Sequence, residues 1–142
     1  MVLTQSDAIE VKQVRGKGRG IFARRTIEAD EVIETCPVLV LPSGSIEDFS
    51  VGIGAYVFEW GRGKLALALG YGSLYNHSYR PNARYVDLAG RTKLFTAIRD
   101  IATGEEITIN YNGEPGDETP VGFDVVEGPN VPTRRKSVRA GG

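Results

Sequence analysis

The chain has 142 residues, 41% of them hydrophobic and 25% charged, with a formal net charge of −1. This composition is typical of one globular domain with its own core, and it excludes a mostly disordered chain. A single cysteine, Cys36, and a single histidine, His77, exclude an internal disulfide and a cysteine-cluster zinc site. We therefore predict no bound metal.

The sequence also lacks the features of a secreted or membrane protein. No apolar run approaches the length of a membrane span, and the first residues do not show a basic segment followed by an apolar one. We expect an intracellular, soluble protein without a membrane partner, cytoplasmic or, in a eukaryote, nuclear.

Charge is distributed unevenly along the chain. Residues 1–127 contain 13 basic and 18 acidic residues, a net charge of −5, whereas the last 15 residues add four basic residues and no acidic one. An acidic body favours a basic partner such as a lysine-rich peptide, and it makes direct nucleic-acid binding improbable.

Alternating apolar and polar residues predict a mainly β protein, because no segment keeps a helical period. The predicted strands cover residues 9–14, 21–27, 32–36, 38–41, 55–60, 64–69, 83–88, 92–98 and 106–111. Pro37 separates two of them and predicts an edge or a bend, because proline lacks the donor of a central strand. Ser45 predicts the start of one helical turn over residues 45–49. Gly61 and Gly63 predict a hairpin turn.

Glycines also follow the first strand, from Arg15 to Gly20. Their spacing is Gly-x-Gly-x-Gly, and a strand pattern comes next, so a dinucleotide-binding unit is disfavoured. Turn residues accumulate after Asn112. We predict an N-terminal extension at residues 1–8, one domain at 9–127 that ends in a closing segment, and a disordered basic tail at 128–142.

The segment from Gly70 to Asn82 contains the only histidine, two asparagines and three tyrosines. A loop that caps its own backbone is the plain interpretation of this composition. These polar groups nevertheless exceed what a connection between two strands requires.

Three stretches, Gly18–Ala23, Asn76–Asn82 and Gly104–Tyr111, resemble in this order the signature motifs of SET-domain protein lysine methyltransferases. The resemblance covers about residues 9–111 and is similar to the short, single-domain SET proteins of bacteria and large viruses. It implies a fold of several small curved sheets with a knot-like C-terminal crossing. In that crossing the last segment threads under a loop, so that the second and third motifs meet.

The resemblance also implies S-adenosylmethionine as the cofactor. Backbone groups would line its pocket at Lys17, Gly18, Arg19 and Gly20. The side chain of Asn76 would bind the methionine end, and the backbone of His77 would contact the adenine edge.

For catalysis, the resemblance implies that Tyr111 is the catalytic tyrosine and that Tyr85 lines the lysine channel. Methyl transfer needs a collinear arrangement, which a narrow aromatic channel enforces by positioning. A nearby sulfonium and burial both favour the neutral amine, so no strong base is needed. We therefore expect a structural side chain at His77, and Pro81 and Asn82 to hold the crossing. The substrate would be a lysine in a basic segment, such as a histone or histone-like tail.

The sequence departs from the family at two places. Many relatives carry Tyr-x-Gly where this chain reads Glu34-Thr-Cys-Pro37, so one channel tyrosine is missing, and the candidates to replace it are Tyr56, Phe58 and Trp60. No cysteine cluster follows Tyr111, so the zinc-bearing lid of some relatives is absent. We predict that the segment after Tyr111, with Phe123 as its one aromatic residue, folds back to close the channel.

Several alternatives stay open at this stage. The missing tyrosine suggests a catalytically inactive SET fold that binds a peptide or the cofactor. A weaker alternative is a nucleic-acid-associated protein that binds through its basic tail. Lys136 in that tail is a self-substrate, an occupant of the acidic channel or, more simply, solvated. A homodimer is compatible with the sequence.

Overall fold

The computed structural model describes residues 2–14, 18–122, 125 and 127. Strands dominate this part of the chain: β1 (Ile9–Val14), β2 (Gly18–Ala23), β3 (Val32–Pro42), β4 (Phe58–Glu59), β5 (Lys64–Ala68), β6 (Asn76–His77), β7 (Ala83–Leu88), β8 (Thr92–Ala97) and β9 (Glu106–Ile109). Two 3₁₀ helices, Ser43–Ser45 and Gly52–Ala55, precede β4. The mainly β architecture is confirmed.

Five strands form an antiparallel sheet in the order β4-β5-β3-β8-β7. β3 pairs with β8 through Pro37 and with β5 from Val38 onward, so one continuous strand replaces the two that we predicted. Pro37 lies at this change of partner. There its carbonyl accepts a hydrogen bond from the N–H of Leu69 (3.0 Å). Proline has no N–H to donate, and its position beside the end of the β5 pairing makes that donor unnecessary.

The other sheet has the order β1-β2-β9-β6. β6 is a two-residue strand within the segment that composition marks as a loop, and it runs parallel to β9, with Asn76 opposite Thr108 and His77 opposite Ile109. The second and third motifs therefore meet, as the resemblance implies.

Asn82 fastens this crossing. Its amide nitrogen donates to the carbonyl oxygen of Glu106 (2.8 Å), and its amide oxygen accepts from the N–H of Thr108 (2.9 Å). Asn82 is 2% exposed, so a buried polar side chain has its hydrogen bonds satisfied by β9. This arrangement agrees with the structural role that we expected for Asn82.

The predicted helical turn at residues 45–49 is wrong. Ser45 ends the first 3₁₀ helix, and its hydroxyl donates to the carbonyl of Pro42 (2.6 Å) instead of capping a following turn. The hairpin between β4 and β5 is confirmed. It closes with a 2.9 Å bond from the N–H of Trp60 to the carbonyl of Lys64, and Gly61 and Gly63 take the positive φ angles of 55° and 71° that suit glycine.

Both sheets contribute to one hydrophobic core, which includes Tyr75, Tyr85, Phe95 and Tyr111. Val121 also belongs to this core and is fully buried, so the chain after Tyr111 does return to the body. Phe123 and the predicted tail at 128–142 lie outside the described residues.

Candidate active site

Tyr111 follows β9 and is held at both ends by the segment that contains β6. Its N–H donates to Nδ1 of His77 (2.9 Å), and its hydroxyl donates to the carbonyl of Tyr75 (2.6 Å). Burial, and after it the charge of Glu106, raises the pKa of Tyr111 well above its usual value. The hydroxyl therefore stays protonated and fixed in position.

The imidazole of His77 contacts Tyr111 through a hydrogen bond and through ring packing. A ring nitrogen that accepts a hydrogen bond carries no proton, so Nδ1 of His77 is unprotonated in this arrangement. The ring packs against Tyr111 with 5.0 Å between centroids. This geometry agrees with the structural role that we predicted for the His77 side chain.

Tyr85 on β7 lies beside Tyr111. Its hydroxyl donates to the carbonyl of Tyr111 (3.1 Å), and Phe58 meets its ring edge-on at 5.1 Å between centroids. The structure thus brings the two predicted catalytic tyrosines together. Of the candidates for the missing tyrosine, Phe58 is in direct ring contact with Tyr85.

Three of the predicted cofactor residues, Arg19, Gly20 and Asn76, come together where β2 and β6 flank β9. The amide nitrogen of Asn76 donates to the carbonyl of Arg19 (3.1 Å) and to Oε2 of Glu106 (2.7 Å). A Cβ on Gly20 would lie 2.5 Å from Oε2 of Glu106 and 2.9 Å from the amide nitrogen of Asn76, so only glycine leaves this arrangement undisturbed. Gly18 has a φ of 82°, and Lys17 lies outside the described residues.

Sequence reasoning missed Glu106 as a member of this cluster. The residue stands inside the third motif, and its pairing opposite Phe22 of β2 brings β9 to the Gly18–Ala23 stretch. That pairing between distant strands cannot be read from spacing alone.

Lys93 is a second residue that sequence reasoning missed. Its Nζ lies 4.2 Å from the ring centroids of Phe58 and Tyr85, 5.6 Å from that of Trp60, and 2.5 Å from Oδ1 of Asp87. The side chain of Lys93 is 0% exposed, whereas that of Asp87 is 37% exposed. A buried cation that contacts aromatic rings and the Asp87 carboxylate therefore lies behind Tyr85. The available signal was a lysine two residues before Phe95 on the buried face of β8.

The segment after Tyr111 folds back onto the second motif. The amide nitrogen of Asn110 donates to the carbonyl of Asp117 (2.6 Å), which curls this segment. Glu127 then accepts hydrogen bonds from the hydroxyl of Ser78 (2.5 Å) and the N–H of Tyr79 (2.8 Å). The segment thus returns to the second motif, and its closing of the channel stays a prediction.

The described part of the chain gives three further observations. It contains no group of three or more His, Cys, Asp or Glu residues that could hold a metal ion. It also contains no helix with the length and apolar character to cross a membrane. Cys36 is buried, and burial raises the pKa of its thiol, so a nucleophilic thiolate is disfavoured.

Comparison with known proteins agrees with this geometry. A family model described as SET domain matches residues 18–112. A Schizosaccharomyces pombe histone-lysine N-methyltransferase specific for H3 lysine 37 is 35% identical over 106 residues, which are 72% of this chain and 72% of the relative. An Eremothecium gossypii histone-lysine N-methyltransferase specific for H3 lysine 36 is 37% identical over 123 residues. That match covers 73% of this chain but 17% of the relative.

Two further similarities point the same way. Human histone-lysine N-methyltransferase 2B is 31% identical over 119 residues, which are 76% of this chain and 4% of the human protein. The crystal structure of a Plasmodium falciparum protein, named as a candidate histone methyltransferase, superposes with a TM-score of 0.62 at 28% identity. That superposition covers 77% of this chain and 95% of the other. Because the family model matches well over half of its length, this chain belongs to the SET-domain family.

Proposed function

We propose that this protein is an S-adenosylmethionine-dependent protein lysine N-methyltransferase. The observation that supports the proposal most is the parallel pairing of β6 with β9. It places the Asn76–His77 pair against the strand that leads into Tyr111, and it fixes the Tyr111 hydroxyl on the carbonyl of Tyr75. The names of the similar proteins, all histone methyltransferases, agree with this reaction class.

The polar groups near Gly20 fit the amino-acid end of S-adenosylmethionine. The carbonyl of Arg19, the carboxylate of Glu106 and the amide oxygen of Asn76 are acceptors suited to an ammonium group. Gly20 leaves backbone atoms accessible there, because it has no Cβ. When bound, the cofactor supplies an electrophilic methyl group on a sulfonium.

The chain itself would contribute positioning rather than a strong base. Tyr111 and Tyr85 are 3% and 8% exposed, and each hydroxyl is held by a backbone carbonyl. A lysine side chain between such rings loses water, which lowers the pKa of its amine and favours the neutral nucleophile. Fixed hydroxyls then orient the lone pair of the amine for an in-line displacement. Because Tyr111 keeps its proton, it acts as an oriented dipole and not as a phenolate.

The substrate that we propose is a lysine in a basic protein segment, such as a histone or histone-like tail. Residues 1–127 carry a net charge of −5, which attracts basic segments over long range. The three similar proteins named above act on histone lysines by name, which supports the same substrate class.

Calorimetric binding of S-adenosylmethionine tests the cofactor site without a known substrate. We expect saturable binding by the wild type, a loss of about tenfold or more in affinity for Asn76→Ala, and no change for Gln13→Ala, an exposed amide on β1. Transfer of a labelled methyl group to histones and to an array of lysine-containing peptides follows. Tyr111→Phe should lower kcat by about a hundredfold while cofactor binding is retained.

A catalytically inactive SET module is the second candidate, because the segment Glu34-Thr-Cys-Pro37 lacks the channel tyrosine that many relatives have in this region. Cofactor binding without methyl transfer to any basic protein or peptide would favour this candidate. Failure of the folded wild type to bind the cofactor would contradict the enzyme.

A further inference from the structure

We propose that Glu34 and Tyr75 are a positioning pair that holds the acceptor of the Tyr111 hydroxyl in place from β3. The inference rests on the proposed function, in which the orientation of Tyr111 sets the rate. It assigns a role to the segment Glu34-Thr-Cys-Pro37, which lacks the channel tyrosine of many relatives.

Tyr75 is the link between the two ends of this arrangement. Its backbone carbonyl accepts the hydrogen bond of the Tyr111 hydroxyl (2.6 Å), and its own phenol donates to Oε1 of Glu34 (2.8 Å). The ring is fully buried and stacks on Phe95, with 4.5 Å between centroids and 17° between planes. One residue thus holds the catalytic hydroxyl with its backbone while its side chain is anchored at the far end.

Glu34 fixes the same loop at a second point. Its Oε2 accepts from the N–H of Tyr71 (2.9 Å), so one carboxylate holds the loop at Tyr71 and at Tyr75. Glu34 is 8% exposed and lies in the part of β3 that pairs with β8, opposite Phe95. The carboxylate on this paired strand therefore determines where the loop carbonyl points.

The chemistry of the pair suits a permanent contact. Burial, and after it the charge of Glu34, raises the pKa of Tyr75 well above its usual value. Tyr75 therefore keeps the proton that it donates, and hydrogen bonds to a charged acceptor are stronger than neutral ones. Gly70 allows this approach, since a Cβ there would lie 2.8 Å from Oε2 of Glu34.

The first test compares Tyr75→Phe and Glu34→Gln with the control Tyr71→Phe. The control removes the hydroxyl of Tyr71, a residue that is 38% exposed, and keeps the backbone N–H that donates to Glu34. For Tyr75→Phe we expect kcat to fall about three- to tenfold, with KM for the peptide and the cofactor affinity unchanged. Glu34→Gln retains an acceptor oxygen, so its kcat should fall less than that of Tyr75→Phe. An unchanged kcat in both variants, or a rise in KM alone, would overturn the inference.

A double-mutant cycle separates positioning from general damage to the fold. If Tyr75 acts through the Tyr111 hydroxyl, Tyr75→Phe has less than about a twofold further effect in the Tyr111→Phe background. If Tyr75 has a purely structural role, the fold-losses in kcat of the two single variants should multiply in the double variant.

A second readout does not depend on activity. With ¹³Cζ-labelled tyrosine, the Tyr111 resonance is assigned by its disappearance in Tyr111→Phe. It should shift in Tyr75→Phe and in Glu34→Gln but not in Tyr71→Phe. An unmoved resonance would refute the positioning pair even in an active enzyme. A moved resonance in a protein without methyl transfer would support the positioning of Tyr111 and reject only the proposed reaction.

Discussion

The two flanks of Tyr111 are built in different ways. The cofactor side, as we propose it, consists of Arg19, Gly20, Asn76 and Glu106, and its contacts are a backbone carbonyl, an amide and a carboxylate. The aromatic side consists of Phe58, Trp60, Tyr85 and Lys93, and its contacts are rings around a buried cation. All of the cofactor side comes from the signature motifs, and none of the aromatic side does.

This difference shows which part of the site is constrained by geometry and which by packing. A Cβ on Gly20 would collide with the side-chain ends of Glu106 and Asn76, so any other residue there must displace them. Aromatic packing reaches a similar volume with many residue combinations. We therefore expect changes on the cofactor side to affect cofactor affinity, and changes on the aromatic side to affect stability and peptide binding.

The largest effect should come from filling the space at Gly20. In Gly20→Val the new side chain displaces Glu106 and Asn76, and we expect cofactor affinity to fall about a hundredfold. Calorimetry with S-adenosylmethionine measures this change, and Gly44→Val, at a position with open space, is the control. Equal binding by both variants would remove Gly20 from the cofactor side.

On the aromatic side, the two members of the buried ion pair should respond differently. Asp87→Asn removes the negative charge of the carboxylate that contacts the fully buried Lys93 cation, so the free energy of unfolding should fall by about 1–3 kcal/mol. Lys93→Met replaces the cation with an apolar chain and leaves a partly exposed carboxylate that water can solvate. The free energy of unfolding should therefore fall less than in Asp87→Asn. Urea unfolding of both variants measures the asymmetry. A larger loss for Lys93→Met would mean that the cation itself stabilises the aromatic side.

The closing segment allows a smaller test. Glu127→Ala removes the acceptor for the Ser78 hydroxyl and the Tyr79 N–H, so KM for the peptide should rise about threefold. Glu118→Ala, an exposed carboxylate in the same segment, is the matched control. Identical KM values in the two variants would show that the contact does not close the channel.

The smallest expected effect is on stability at acid pH, and it comes from Glu105, which contacts Asn82 at the crossing. Burial acts to raise the pKa of Glu105, but hydrogen bonds from Asn82, the Ala102 N–H and Arg99 outweigh it, so the pKa is lowered. Because the folded-state pKa lies below the unfolded value of about 4.3, Glu105 stabilises the fold above that pH. This stabilisation is lost as the pH falls through the folded pKa.

Thermal unfolding across this range measures the contribution of Glu105. The fall in Tm below about pH 4.3 should be shallower in Glu105→Gln than in the wild type, and Glu118→Gln should behave like the wild type. A steeper fall in Glu105→Gln would reverse the assigned sign.

Much of this molecule could be predicted from its sequence. Strand patterns located β1, β5, β7 and β8 within a residue or so, because alternation survives wherever one face is buried. Pro37 misled the prediction of β3, since sequence does not show that a strand can exchange one partner for another at a proline. The sequence did not predict β6, because two residues are too few to show the alternation that marks a strand.

The site shows the same division. Asn76, Tyr85 and Tyr111 could be placed because motif spacing carries their identity. Lys93 and Glu34 could not, because a charged residue in a strand predicts a solvent-facing position, and only the assembled sheet shows that each is buried.

The pairing of β6 with β9 also has a consequence for how the protein is made. Asn76 and Thr108 are partners although 32 residues separate them, and such distant pairing forms late because a long loop must close first. A ribosome that has released only the chain through β8 has made the proposed cofactor side without Glu106 and the aromatic side without Tyr111. Cofactor affinity and methyl transfer should therefore arise together during synthesis, and only after the chain beyond β9 has emerged.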